Sequence, residues 1–170
     1  MVKIVLIRGA SAVGKTIITK SVLDELKDKH NQKCAYISER HFTTDMQTKY
    51  DYYDKNVHLN AFELIKTVIL KLLDLDEYDF IFVEGRFKLK EVLDQFETFV
   101  NKENLEAIYF HLFVDVQEMV DRNNAYKNYS QRDVLSSRMD VESYVPNNFF
   151  KINTKQSVEN SVSEILNKLV

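Results

Sequence analysis

Short runs of consecutive apolar residues alternate along this chain with longer stretches whose apolar residues recur every three or four positions. The opening run Val2-Lys3-Ile4-Val5-Leu6-Ile7 is β-branched and brief, the pattern of a strand buried on both faces. Residues Gly9 to Gly14 are small and turn-like, and then Ile17, Ile18, Val22, Leu23 and Leu26 predict a helix to about Lys29. Lys33–Ser38 reads as a second strand. Residues 39–56 are polar and aromatic (His41, Phe42, Tyr50, Tyr52, Tyr53) without a clean period, and read as a mobile or partly helical segment. Leu59, Phe62, Ile65, Val68, Ile69, Leu72 and Leu73 then mark a long helix. Phe80–Val83 is a third buried strand, closed by Glu84-Gly85-Arg86, and Leu89, Val92, Leu93, Phe96 and Val100 form the next helix.

Ala107–Val114 gives a fourth strand, and a helix starts at Val116 and runs to about Asn123. Asn124–Asp140 is polar and charged. The only proline, Pro146, precedes a short fifth strand, Phe149–Asn153. Val158, Val162, Ile165 and Leu169 share one face of a last helix, with Ser157 as its N-cap ahead of Asn160. Five short strands alternating with helices predict a parallel sheet covered on both faces, a three-layer α/β/α domain.

Composition narrows the setting. A chain of 170 residues suits one domain, and 45% hydrophobic with 29% charged residues is ordinary globular composition. The net charge of -3 argues against a dominant nucleic-acid or anionic-membrane footprint. No apolar stretch reaches the ~20 residues of a membrane span, and the first residues lack a signal-peptide layout. Cys34 stands alone, which excludes an internal disulfide and fits a reducing cytoplasm, the expected location. The sequence carries no statement of oligomeric state.

Glycine is scarce. Average usage would place about 12 in such a chain, and there are 3: Gly9, Gly14 and Gly85. All three close an apolar run or sit in the turn after one. The first two frame Gly9-Ala10-Ser11-Ala12-Val13-Gly14-Lys15-Thr16, a complete Walker A pattern between a predicted strand and a predicted helix. Such a loop turns successive backbone amides inward around a polyphosphate, and the helix that follows adds its positive end. Lys15 is the expected contact of the β- and γ-phosphates, and Thr16 the expected hydroxyl ligand of Mg²⁺. A nucleoside polyphosphate with Mg²⁺ is therefore the expected ligand.

Other candidates lie at the ends of strands, where a parallel sheet presents groups to a ligand. Glu84 ends the third strand and suits the metal-side acid; the bland alternative is a solvated carboxylate. Arg86 is either an acceptor contact or half of a surface ion pair. Glu39, with Arg40 and His41 beside it, ends the second strand and is either a base for an attacking hydroxyl or an unpartnered loop carboxylate. Arg122, Arg132 and Arg138 are either a solvated charged face or lid cations over a phosphoryl group, Arg122 nearest the nucleotide. The tyrosines of Tyr50-Asp51-Tyr52-Tyr53-Asp54 stack on an aromatic acceptor or merely cap the surface. His30, His41, His58 and His111 have no metal-ligand spacing, and His111 reads as a core residue.

This order of parts resembles the P-loop small-molecule kinases: nucleoside monophosphate, shikimate, gluconate and adenylylsulfate kinases, and chloramphenicol phosphotransferase. Gln131-Arg132-Asp133 with Ser137-Arg138-Met139 is similar to their lid arginine pattern, and Phe150-Lys151-Ile152-Asn153-Thr154 to their last strand. The resemblance implies a P-loop NTPase sheet of order 2-3-1-4-5, ATP–Mg²⁺ as donor, an acceptor-binding segment near 39–58 and a lid near 122–140. Glu-Gly-Arg after strand three departs from the Asp-Gly-Phe-Pro-Arg of monophosphate kinases, and Glu39 stands where an aspartate is often found. The expected activity is phosphoryl transfer to a small-molecule acceptor: a nucleoside, nucleotide, sugar or antibiotic-like molecule. A nucleotide-binding switch or assembly ATPase acting on a protein partner is the alternative, and a P-loop module with little turnover a third reading.

Overall fold

The computed structural model describes residues 2–46, 51, 53–126 and 129–170. Tyr50 and Tyr52, two members of the aromatic run, lie outside the described residues. Among the described residues five strands, β1 (Lys3–Gly9), β2 (Cys34–Ser38), β3 (Phe80–Gly85), β4 (Glu106–Phe113) and β5 (Phe150–Asn153), make one sheet. Its order is β2-β3-β1-β4-β5 and every neighbouring pair is parallel. Both the order and the all-parallel pairing agree with the sequence expectation. Among the described residues six α-helices occur, in chain order α1 (Lys15–His30), α2 (Lys55–Leu75), α3 (Lys90–Lys102), α4 (Val116–Tyr126), α5 (Gln131–Glu142) and α6 (Val158–Leu169).

The alternation of side chains along β1 explains the three layers. Val5 and Ile7 face a core shared with Ile18, Val22 and Leu26 of α1 and Val162, Ile165 and Leu166 of α6. Ile4 and Leu6 face the opposite core, built with Phe62, Ile65 and Ile69 of α2 and Val92 and Phe96 of α3. All four β1 residues are completely buried, which is why the run is uniformly apolar instead of alternating. Register sets the working edge of the sheet. Ile7 lies opposite Glu84 on one side and Phe110 on the other, and Ser38 lies opposite Glu84.

Three of the helices start on a side-chain cap. Asp54 accepts the Asn56 N–H at 2.9 Å, Ser130 the Asp133 N–H at 3.1 Å, and Ser157 the Asn160 N–H at 3.2 Å, the last as expected. Helix α1 has no side-chain cap. Its first amides are left to whatever sits beyond Gly14.

Two stretches differ from, or sharpen, the sequence reading. Helix α4 continues through Tyr126, and the charged stretch after it contains a further helix, α5. Val134, Ser137 and Val141 form its completely buried stripe, and a serine in the middle hides that stripe from an apolar count. Within the 39–56 segment, His41–Asp45 forms a single π-turn and α2 begins at Lys55. His111 is buried as expected, with Nε2 3.0 Å from Glu142 Oε1. Its register neighbour on β1 is Arg8, also fully buried.

Candidate active site

The Walker A loop leaves β1 at Gly9 and enters α1 at Lys15. Ala12 (φ 63°) and Gly14 (φ 93°) both occupy the left-handed region, the backbone condition for an anion nest. Gly14 is the position where glycine is required, since a side chain there would carry the strain of that φ. Lys15 Nζ donates to Ala10 O at 2.7 Å. Burial pushes the Lys15 ammonium down to about 8, with the Glu84 charge opposing and the Arg86 charge adding to the shift. Desolvation of that ammonium makes it a strong partner for an anion.

Thr16 and Glu84 meet at the mouth of the loop. The Thr16 hydroxyl lies 3.2 Å and 3.1 Å from the two Glu84 oxygens and donates to the carboxylate. A hydroxyl and a carboxylate are hard oxygen donors of the kind magnesium prefers. No group of three or more His, Cys, Asp or Glu side chains able to hold a metal ion occurs among the described residues. A cation here would therefore rely on Thr16, Glu84, water and phosphate together. The site's residues fit Mg²⁺ in that sense.

Glu39 closes the other wall. It is 4% exposed, and its Oε2 accepts the backbone N–H groups of Arg86 at 2.7 Å and Phe87 at 3.2 Å. His58 Nδ1 lies 3.6 Å from Oε1. Burial alone would raise the carboxyl, but the facing His58 imidazole, the Arg86 charge and the Phe87 amide outweigh it and bring Glu39 to about 2. Glu39 is thus a held, ionised carboxylate and not a solvated loop residue. Gly85 is needed beside it, because a Cβ there would lie 2.6 Å from Glu39 Cβ and 2.7 Å from the Phe87 ring. Phe87 itself has φ 41°, and Arg8 Nε donates to its carbonyl at 3.1 Å. The strained turn after β3 is held from both sides, by Glu39 on its amide and Arg8 on its carbonyl.

One cavity of about 970 Å³ joins these walls. It runs from Gly14, Lys15 and Thr16 past Glu84 to Glu39, Arg40 and Arg86, and on its far side to Arg122, Thr154 and Gln156. Arg122 is tied down there: Nη2 donates to Thr154 O at 2.6 Å and Nη1 to Val13 O at 3.2 Å. Thr154 Oγ1 donates to Val13 O at 2.7 Å, so the loop after β5 is fastened to the Walker A loop.

No protein-family model matches the chain, and no curated protein sequence matches it. Solved structures match over nearly its whole length. The Mycobacterium tuberculosis APS kinase CysC, solved with AMPPNP and APS, superposes with a TM-score of 0.75 at 14% identity, covering 99% of this chain and 97% of that one. A gluconokinase from Sinorhizobium meliloti gives 0.70 at 10% identity, covering 97% and 90%. The Deinococcus radiodurans tunicamycin resistance protein gives 0.67 at 11% identity, covering 98% and 95%. The chain has the fold of these proteins, which include an APS kinase and a gluconokinase.

Within that fold the predicted arginines separate. Arg122 and Arg86 reach the cavity, as does Arg40, which is exposed and 3.8 Å from Asp45. Arg132 and Arg138 do not line it: on α5, Arg132 is exposed and Arg138 half-buried. The part of α5 that does touch the Walker A loop is Ser137, whose Oγ accepts the Ser11 N–H at 2.9 Å. Ser137, His58 and Tyr36 belong to the site without any sequence motif that marks them. Tyr36 donates to Glu84 Oε2, and burial followed by the Glu84 charge pushes its hydroxyl well above the usual tyrosine range. Only a strand register, which no local motif announces, brings Tyr36 near Glu84.

Proposed function

We propose that this chain is an ATP-dependent kinase that transfers the γ-phosphoryl group of Mg–ATP to a hydroxyl or phosphate of a small molecule. The observation that carries the reading is the single cavity in which the Walker A lysine and threonine, the Glu84 carboxylate and a second wall of Glu39, Arg40 and Arg86 face a common space. A cavity of about 970 Å³ is at the upper end of small-molecule sites, enough for a donor and an acceptor together. The neighbours' names point the same way: kinases acting on APS and on gluconate share this fold.

Each residue then has a task. The uncapped start of α1 and the left-handed Walker A backbone offer amides to phosphate. Lys15 exchanges its bond to Ala10 for phosphate oxygens. Thr16 and Glu84 would hold the divalent cation, which when bound neutralises phosphate charge. Arg86 and Arg40 orient the acceptor. Glu39 accepts a hydrogen bond from the attacking hydroxyl. With so low a pKa it takes the proton only late, as a loose phosphoryl-transfer transition state allows. The acceptor oxygen gains the phosphoryl group, the bond to the bridging oxygen of ADP breaks, and the proton leaves through Glu39 to solvent. Arg132 and Arg138 reach the transferred group only if α5 moves inward, the lid role proposed for residues 122–140.

The test is ADP release from Mg–ATP with and without a panel of nucleosides, nucleotides, sugars and antibiotics, with Lys15→Ala beside the wild type. Acceptor-stimulated release absent from the variant is the expected result. Release that no acceptor stimulates, in a protein that binds ATP, would favour a switch or assembly ATPase awaiting a protein partner.

A further inference from the structure

Glu84 has two oxygens to place and little room in which to place them. It is 4% exposed at the end of β3. Thr16 donates to it from α1. The second donor is Tyr36, two residues before the end of β2. Tyr36 lies level with Phe82, and Ser38 level with Glu84. The Tyr36 side chain therefore reaches Glu84 along the diagonal between neighbouring strands. That diagonal is about 7–8 Å between positions, a span that a long aromatic side chain can cover.

The rest of Tyr36 explains why the hydroxyl stays there. Its ring packs against the core between the sheet and α1. In this setting the phenol has one proton to give, and it gives it to Oε2. With Oε2 engaged and both oxygens in reach of the Thr16 hydroxyl, the carboxylate plane is fixed. The Thr16 oxygen, having donated its proton, keeps lone pairs for a cation, and Glu84 Oε1 keeps acceptor sites for a cation's water. Residues that orient a metal-side ligand in this way typically change metal affinity 10–100-fold when removed.

We propose that Tyr36 is a positioning residue for the divalent cation: it holds Glu84 in the orientation in which Thr16 and Glu84 together receive magnesium on bound nucleotide. This rests on the nucleotide reading above. The test is calorimetric binding of ADP to wild type, Tyr36→Phe and Glu84→Gln, each with and without Mg²⁺, with the thermal melt of each protein. The expected result has three parts. Wild type binds ADP more tightly with Mg²⁺; Tyr36→Phe matches it within about two-fold without Mg²⁺ but loses roughly ten-fold of the magnesium-dependent gain; and higher Mg²⁺ restores that gain in Tyr36→Phe. Glu84→Gln loses it more completely.

A Tyr36→Phe protein that keeps the full gain, whether or not its melting point drops, overturns the proposal and leaves the nucleotide reading standing. A wild type that binds no ADP in either condition overturns both. If the phenylalanine variant does not fold, Tyr36→Met fills the same slot without a donor and is judged by the same comparison.

Discussion

Lys15 holds a charge where the surroundings disfavour it, and that has two measurable consequences. With its pKa brought from 10.5 to about 8, the folded protein below pH 8 carries an ammonium less well solvated than in the unfolded chain. The penalty fades as pH rises through 8 toward 10.5. Lys15→Met, which keeps the stem and removes the charge, should raise the melting point of the nucleotide-free protein near neutral pH. A gain of about 1 kcal/mol, roughly 2–4 °C for a chain this size, is expected after allowing for solvent screening. The same variant should lose phosphate-dependent nucleotide binding. In wild type, bound phosphate restores the proton, so calorimetry above pH 8 should show proton uptake on binding and an affinity that falls with pH. Gly85→Ala is the second residue-level case. Its Cβ would sit 2.6 Å from Glu39, and the forced shift should destabilise by about 1–3 kcal/mol and lower acceptor-stimulated turnover more than nucleotide affinity.

At the level of elements, α5 ties the mobile chemistry proposed for the arginines to the phosphate loop. Ser137 is fully buried and accepts the Ser11 amide at 2.9 Å. Ser137→Ala should leave that amide without its partner, cost about 1–2 kcal/mol, and speed hydrogen exchange across α5 while α1 and α6 stay protected. Arg132→Ala and Arg138→Ala, by contrast, should leave ADP affinity nearly unchanged, and the lid role predicts that at least one lowers acceptor-stimulated turnover about a hundred-fold. The strands and the long helices were legible because β-branched runs and helical spacing report burial directly. Helix α5 was not, because its buried stripe is Val134, Ser137 and Val141 in an otherwise polar stretch. The Walker A loop was legible since its chemistry is contiguous in sequence. The partners of Glu39 and Glu84 were not, since His58 and Tyr36 come to them through the α2 packing and the β2–β3 register.

For the whole molecule, the held Glu39 carboxylate contributes to the acid limit. Glu39 is brought from 4.5 to about 2 in the fold. A lowered carboxylate contributes stability that is fully present above the unfolded value and is lost as pH falls through the folded one. Stability should therefore decline between about pH 4.5 and 2. Glu39→Gln should flatten that part of the pH–melting curve while lowering stability at neutral pH, because an amide cannot match an ionised acceptor of two backbone N–H groups. In the proposed reaction, donor and acceptor share the cavity at the carboxyl edge of the five parallel strands, which the two cores hold in place. The measurement that tests this most directly follows the phosphoryl group itself: ATP radiolabelled on its γ-phosphate is incubated with the protein, Mg²⁺ and a small-molecule cell extract, and the products are separated. The account predicts label in an organic product with wild type and none there with Lys15→Ala. Label confined to ATP and inorganic phosphate for both proteins, in an extract that supports a known kinase, would contradict it.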